Sequence, residues 1–238
     1  MIPLRDALPA RRPALVTTAL VIACGAVFLY ETWVAANGGD AALESLFQRY
    51  GVVPAALTAG LAAGDLAAAT PLVTHLFLHA GWLHLAGNML YLWIFGNNVE
   101  DRLGRPGFLL AYLGFGAVAA LAQVAMDPRA TLPLIGASGA ISGVLGAYLV
   151  LYPRAKVMSL VFLVFFYQLM EVPAVALLGL WFVLQLLSGL ASLGAGGDAA
   201  GGVAFFAHLG GFLAGMALGL AVRLLDRRRR PPVRLAVG

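Results

Sequence analysis

One constellation in this sequence is equipped for chemistry. Ser138 stands between glycines in Gly136-Ala137-Ser138-Gly139, after a Pro-containing loop from Asp127 to Ile135 and at the mouth of an apolar run, Ala140 to Tyr152. His208, 70 residues further on, opens the last apolar run in His208-Leu209-Gly210-Gly211. A serine hydroxyl becomes a nucleophile when a neighbouring base takes its proton, and neutral imidazole is such a base. Ser138 and His208 are therefore the candidate nucleophile and general base/acid. His84 and Asn88 are four residues apart and share one helix face. Both side chains can donate hydrogen bonds. Together with the backbone N–H of Ser138, such donors are suited to hold the oxyanion of a tetrahedral acyl intermediate. No acidic residue stands near either motif, so a dyad is expected rather than a Ser-His-Asp triad, with His208 oriented by packing. Ser142, one turn beyond Ser138, is the rival nucleophile.

The elements that must position these residues are membrane-spanning helices. Of 238 residues, 61% are apolar and only 11% charged, and the mean hydropathy is +0.90. A soluble domain carries about 25% charge. Several apolar runs approach the ~20 residues needed to cross about 30 Å of hydrocarbon. The composition excludes an ordinary soluble domain. The single cysteine, Cys24, excludes an intrachain disulfide framework and reads as a core residue.

Six spans are expected, at about 14–35, 82–99, 108–126, 137–152, 172–190 and 203–225. The first is longer than the ~7–15 apolar residues of a cleaved signal peptide, so no cleavage is expected after Val34-Ala35-Ala36. Asn37 to Thr70 is too polar for a span and reads as short surface helices between Gly and Pro breakers. Val157 to Met170 reads as an interfacial or part-buried segment. Ala191 to Gly202 reads as a loop, and 226–238 as a basic cytoplasmic tail. The chain reads as one membrane domain, 1–238.

Basic residues set the orientation. Thirteen of the 15 Lys and Arg fall on the side of the termini, against Arg49 and Arg129 on the other. Both termini are thus expected in the cytoplasm, with the Arg227–Arg230 run as an anchor near anionic lipid and no role for nucleic acid. The starts of spans two, four and six then share the outer side. All four histidines, His75, His79, His84 and His208, fall at that level. Polar groups at such depth face the bundle interior and mark function. Gly139, Gly143 and Gly146 on span four, and Gly211, Gly215 and Gly219 on span six, form small-residue faces that let helices approach closely. If those faces meet, Ser138 and His208 come side by side.

Taken together, Gly136-Ala137-Ser138-Gly139, His208 with Gly210-Gly211, His84-x-x-x-Asn88 and Glu100-x-Arg102-x-Gly104 resemble the rhomboid intramembrane serine proteases, over roughly Thr74 to Gly219. The resemblance implies an all-α polytopic membrane protein with a compact six-transmembrane-helix bundle and a water-filled cavity open to the outside. It implies that Ser138 is the nucleophile and His208 the base and acid, with His84 and Asn88 on the oxyanion and His79 supporting them from behind. His75 is expected to be structural. No cofactor or metal is implied. The implied partners are single-pass or polytopic membrane protein substrates in the lipid bilayer, cut within or near a transmembrane segment. The implied place is an integral position in a bacterial cell (inner) membrane. Two departures stand out. Some members carry an aromatic residue against the base where this chain has Ser142, and the first outer loop lacks a Trp-Arg pair found in some members.

Substrate is expected to enter beside span five, with the aromatic approach from Phe162 to Tyr167 moving. Three other classes stay open at this point. They are a histidine-lined transporter, a metal-dependent protease using His75, His79 and His84, and a catalytically inactive protein that binds membrane clients.

Overall fold

The computed structural model describes residues 1–163, 166–194 and 204–229. Strand β1 (Ile2–Asp6) precedes helix α1 (Leu15–Tyr50). A short helix α2 (Pro54–Ala62), a 3₁₀ turn at Leu66–Ala69, one turn α3 (Pro71–Thr74) and a 3₁₀ turn at His75–Phe77 follow. Then come α4 (Trp82–Leu103), α5 (Arg105–Met126) and α6 (Ser138–Leu151). Strands β2 (Lys156–Leu163) and β3 (Phe166–Pro173) lead to α7 (Ala174–Gly194) and α8 (Phe205–Arg229).

The fold is a mostly helical membrane bundle centred on α6. Eleven of the 14 residues of α6 are buried. A helix that is apolar on every side is one that other helices surround. Its backbone touches that of α8. A Cβ at Gly211 would overlap the carbonyl of Gly139, one at Gly215 that of Gly143, and one at Gly146 that of Phe212. The two glycine faces therefore meet as their spacing predicts. Gly219 packs in the same seam, against Ala147 and Val150.

By length and apolarity, four helices qualify as spans, or five if α4 is joined to the bent segment before it, across an angle of 86°. The remaining expected span, the fourth (137–152), is α6, which has only 14 residues, or about 21 Å of helix. It falls short of a full crossing because it begins inside the bundle. Irregular backbone such as the loop before it is tolerated at depth where protein surrounds it.

Glu100 ties the far end of α4 to the start of α1. Its carboxylate accepts the N–H groups of Val16 (3.0 Å) and Thr17 (2.8 Å) and the Thr17 hydroxyl (2.8 Å). This satisfies free donors at a helix start. Arg102 pairs with Asp226 near the end of α8. The Glu100-x-Arg102-x-Gly104 sequence is thus a clamp at the end of the bundle opposite Ser138. Gly104 itself has a left-handed φ of 73°.

Three segments differ from the sequence reading. First, α1 runs on past residue 35 to Tyr50, through a break at Gly39 (φ 70°, ψ −174°) that only glycine adopts readily. The piece after Gly39 is thus a short helix of its own, ending at Gly51, and α2 follows at Pro54, in keeping with short helices between Gly and Pro breakers. Second, the segment expected to be interfacial or part-buried carries two antiparallel strands, Lys156–Leu163 and Phe166–Pro173, and Ile2–Asp6 adds a third in the order β1-β2-β3. The period of two is visible in β2, where Val157 and Ser159 are fully buried and Met158 between them is not. Asp6 pins this sheet to the bundle by accepting hydrogen bonds from Tyr148 (2.8 Å) and Asn98. The hairpin is rooted where Ala174 N–H meets the Ala155 carbonyl (2.8 Å), at the end of α6 remote from Ser138. Of the approach from Phe162 to Tyr167, residues 164–165 lie outside the described residues. Third, α7 extends to Gly194 and α8 to Arg229, so both reach into the expected loop and tail. Residues 195–203 and 230–238 of those two segments lie outside the described residues.

Candidate active site

The loop before α6 sets Ser138. It is held on one side by Val52 and Leu134, which exchange backbone hydrogen bonds of 2.9 and 2.8 Å. On the other side the carbonyl of buried His75 accepts Gly136 N–H at 2.9 Å. Gly136 has a φ of 115°, and a Cβ there would meet His84 Nε2 at 2.7 Å. Conformation and space both demand glycine. The chain then turns into α6, and Ser138 is its first residue, where backbone N–H groups lack helical partners.

His208 sits in the first turn of α8, beside the glycine seam. Its Nε2 lies 2.8 Å from Ser138 Oγ. Its Nδ1 lies 2.8 Å from Oε1 of Gln185 on α7. For Nε2 to accept the serine proton, the ring proton must sit on Nδ1, and Gln185 Oε1 is placed to accept it. Trp181, one turn before Gln185 on the same face of α7, brings its ring centroid to 5.9 Å from that of His208. The sequence reading gave His208 only packing to orient it. The structure adds a hydrogen bond, and it supplies an aromatic neighbour from α7 in place of the one missing at Ser142. Ser142 donates its hydroxyl to the Ser138 carbonyl at 2.7 Å, a helix back-bond that engages its proton away from any base.

His84 and Asn88 face the same turn from α4. Ala80 N–H lies 3.4 Å from His84 Nδ1, an arrangement that leaves the ring proton on Nε2, the nitrogen beside Gly136. Asn88 is buried, yet its Nδ2 has no partner among the described residues. A buried unpaired donor costs free energy and calls for an explanation. His84, Asn88, Ser138 and His208 line one cavity of about 550 Å³, together with Trp181 and Gln185.

His79 is buried behind His84, with ring centroids 5.2 Å apart and its Nδ1 3.1 Å from the Phe77 carbonyl. Its backbone N–H is accepted by Glu31, a buried carboxylate on α1, at 3.1 and 3.3 Å. His75 places Nδ1 2.7 Å from the Pro71 carbonyl. His75, His79 and His84 do not converge. Among the described residues no three His, Cys, Asp or Glu side chains form a set able to hold a metal ion. Cys24 is buried in the bundle.

Sequence reasoning missed Gln185, Trp181 and Glu31. Gln185 and Glu31 did carry a signal, because each is a polar group within an apolar run and such groups face the bundle interior. Nothing in the order of residues says which partner they meet.

The family model described as Rhomboid domain matches residues 67–224. The chain is 46% identical over 78 residues to Rhomboid protease GluP of Bacillus subtilis, covering 33% of this chain and 15% of that protein. It is 38% identical over 90 residues to Rhomboid protein 1, mitochondrial, of Saccharomyces cerevisiae, covering 36% and 26%. It is 33% identical over 146 residues to Rhomboid-like protease 3 of Toxoplasma gondii, covering 61% and 49%. The matched segments span between 15% and 49% of these relatives' own lengths.

Proposed function

This chain belongs to the rhomboid family, and on that premise we propose that it is an intramembrane serine endopeptidase working through Ser138 and His208. The observation that carries the reading is the 2.8 Å approach of His208 Nε2 to Ser138 Oγ within a ring of unspent donors. His208 Nε2 takes the hydroxyl proton as Ser138 Oγ attacks the carbonyl carbon of the scissile amide. The oxyanion is held by Asn88 Nδ2–H, His84 Nε2–H and the backbone N–H of Ser138. The imidazolium then gives its proton to the leaving amine nitrogen, and the C–N bond breaks. Water, deprotonated by His208, attacks the acyl carbon, the C–Oγ ester bond breaks as the imidazolium returns its proton to Ser138 Oγ, and the acid product leaves. His79 and the Glu31 carboxylate keep His84 in place.

Substrates of this reading are transmembrane segments of other membrane proteins, single-pass or polytopic. A helical amide is hydrogen-bonded and screened, so the segment unwinds locally before attack. The reading places the chain in a bacterial cell membrane, as one membrane domain with both termini and the basic end in the cytoplasm. The 13-to-2 distribution of Lys and Arg supports that orientation.

The test is labelling by a fluorophosphonate, which reacts with activated serines. Detergent-purified wild type, Ser138→Ala, His208→Ala and Ser142→Ala are compared. Wild type and Ser142→Ala are expected to label, and the other two are not. Labelling of Ser138→Ala at the wild-type rate refutes the assignment.

A further inference from the structure

We infer that Gln185 is the positioning residue of the base, holding His208 in the tautomer that leaves the Nε2 lone pair on Ser138. The inference rests on the dyad reading above and extends it to a third residue on a third helix. α7 is apolar around Gln185, with Val183, Leu184 and Leu187 all exposed on its outward side. Gln185 is instead half-buried and faces the cavity. Its Oε1 meets His208 Nδ1 at 2.8 Å, on the side of the ring opposite Ser138. A neutral imidazole has one donor nitrogen and one acceptor nitrogen. An acceptor at Nδ1 fixes the proton there and turns Nε2 into the acceptor that the Ser138 hydroxyl needs. When the imidazolium forms, the same oxygen accepts a stronger, charge-assisted hydrogen bond.

α6 offers no substitute. Its residue one turn beyond Ser138 is Ser142, whose hydroxyl is committed to the Ser138 carbonyl. Trp181, four residues before Gln185, limits how far the His208 ring turns, with centroids 5.9 Å apart. The orientation of the base is thus carried by α7, separate from the helices that carry the dyad. The bland alternative is a polar contact that merely fastens α7 to α8. That role predicts lost stability. The positioning role predicts lost turnover.

The experiment compares the full chain, reconstituted with a model transmembrane substrate, as wild type, Gln185→Leu, Gln185→Met, Gln185→Glu and Ser138→Ala. Gln185→Leu is expected to lower kcat at least tenfold, equivalent to about 1.4 kcal/mol of barrier, with KM within twofold of wild type. Gln185→Met, unbranched like glutamine, repeats the measurement should the leucine variant not fold. Gln185→Glu keeps an oxygen for Nδ1–H and is expected to restore at least half of the wild-type kcat. The inference is overturned if Gln185→Leu or Gln185→Met turns over within twofold of wild type. It is also overturned if the Glu variant is as slow as they are while all three melt lower. Cleavage by Ser138→Ala at the wild-type rate brings down the dyad itself, and the inference with it, through a separate sample.

Discussion

A single methyl group on α8 should disable the site without touching it. Gly211 lies one turn below His208, and a Cβ there would overlap the carbonyl oxygen of Gly139, the residue after Ser138. Both clashing groups belong to helix backbones, so no side chain can swing aside. A relaxed contact between carbon and carbonyl oxygen is about 3.3–3.6 Å. Relief of the overlap therefore parts α6 and α8 by about 1 Å at the level of the dyad. His208 Nε2 and Ser138 Oγ, now 2.8 Å apart, would move beyond hydrogen-bond reach. A misplacement of about 1 Å costs roughly 100-fold in rate. Overpacking also removes about 1–3 kcal/mol of stability. Gly211→Ala should therefore lower kcat/KM toward a model transmembrane substrate about 100-fold and lower the melting temperature. Gly114→Ala on α5 is the control, because a Cβ there meets nothing within 4 Å. Activity of folded Gly211→Ala within threefold of wild type would refute the argument that backbone contact sets the dyad distance.

Three further outcomes follow from named contacts. Asn88→Leu should cut kcat by about 100-fold, as loss of one oxyanion donor does, yet melt no lower than wild type, because it removes an unpaired buried donor. Glu100→Gln should destabilise the fold by about 1–2 kcal/mol by weakening the charge-assisted cap on α1, with the loss read as a lower melting temperature. Asp6 carries the pH signal: burial holds its carboxyl above the usual value of 3.8, against hydrogen bonds from Tyr148, its own backbone N–H and Asn98 that lower it. A raised folded-state pKa means the neutral acid is the form the fold prefers, so stability is lost as pH climbs from about 3.8 through the raised value. Asp6→Asn should therefore gain in melting temperature relative to wild type between pH 4 and pH 7, and a gap that shrinks instead would contradict the sign.

Residue types and their spacing were enough to predict the membrane class, the helix seam and the approach of His208 to Ser138. A charged fraction of 11% forces burial in lipid, and glycines every third or fourth residue mark where two helices touch. Once that seam is granted, Ser138 and His208 meet because each stands just ahead of its first seam glycine. His84 and Asn88 follow from a helical period that requires no knowledge of their partners. Tertiary structure alone decided the rest. Gln185 reaches His208 from a helix whose rotation is set by packing against α8, and no local pattern encodes that rotation. Glu31 meets the His79 backbone across 48 residues, and Glu100 caps α1 across 83. Such long-range hydrogen bonds depend on which helix ends lie side by side. The strands at 2–6, 156–163 and 166–173 are not legible in the sequence because a short apolar run looks alike as strand or buried helix until a partner strand is present to pair with it.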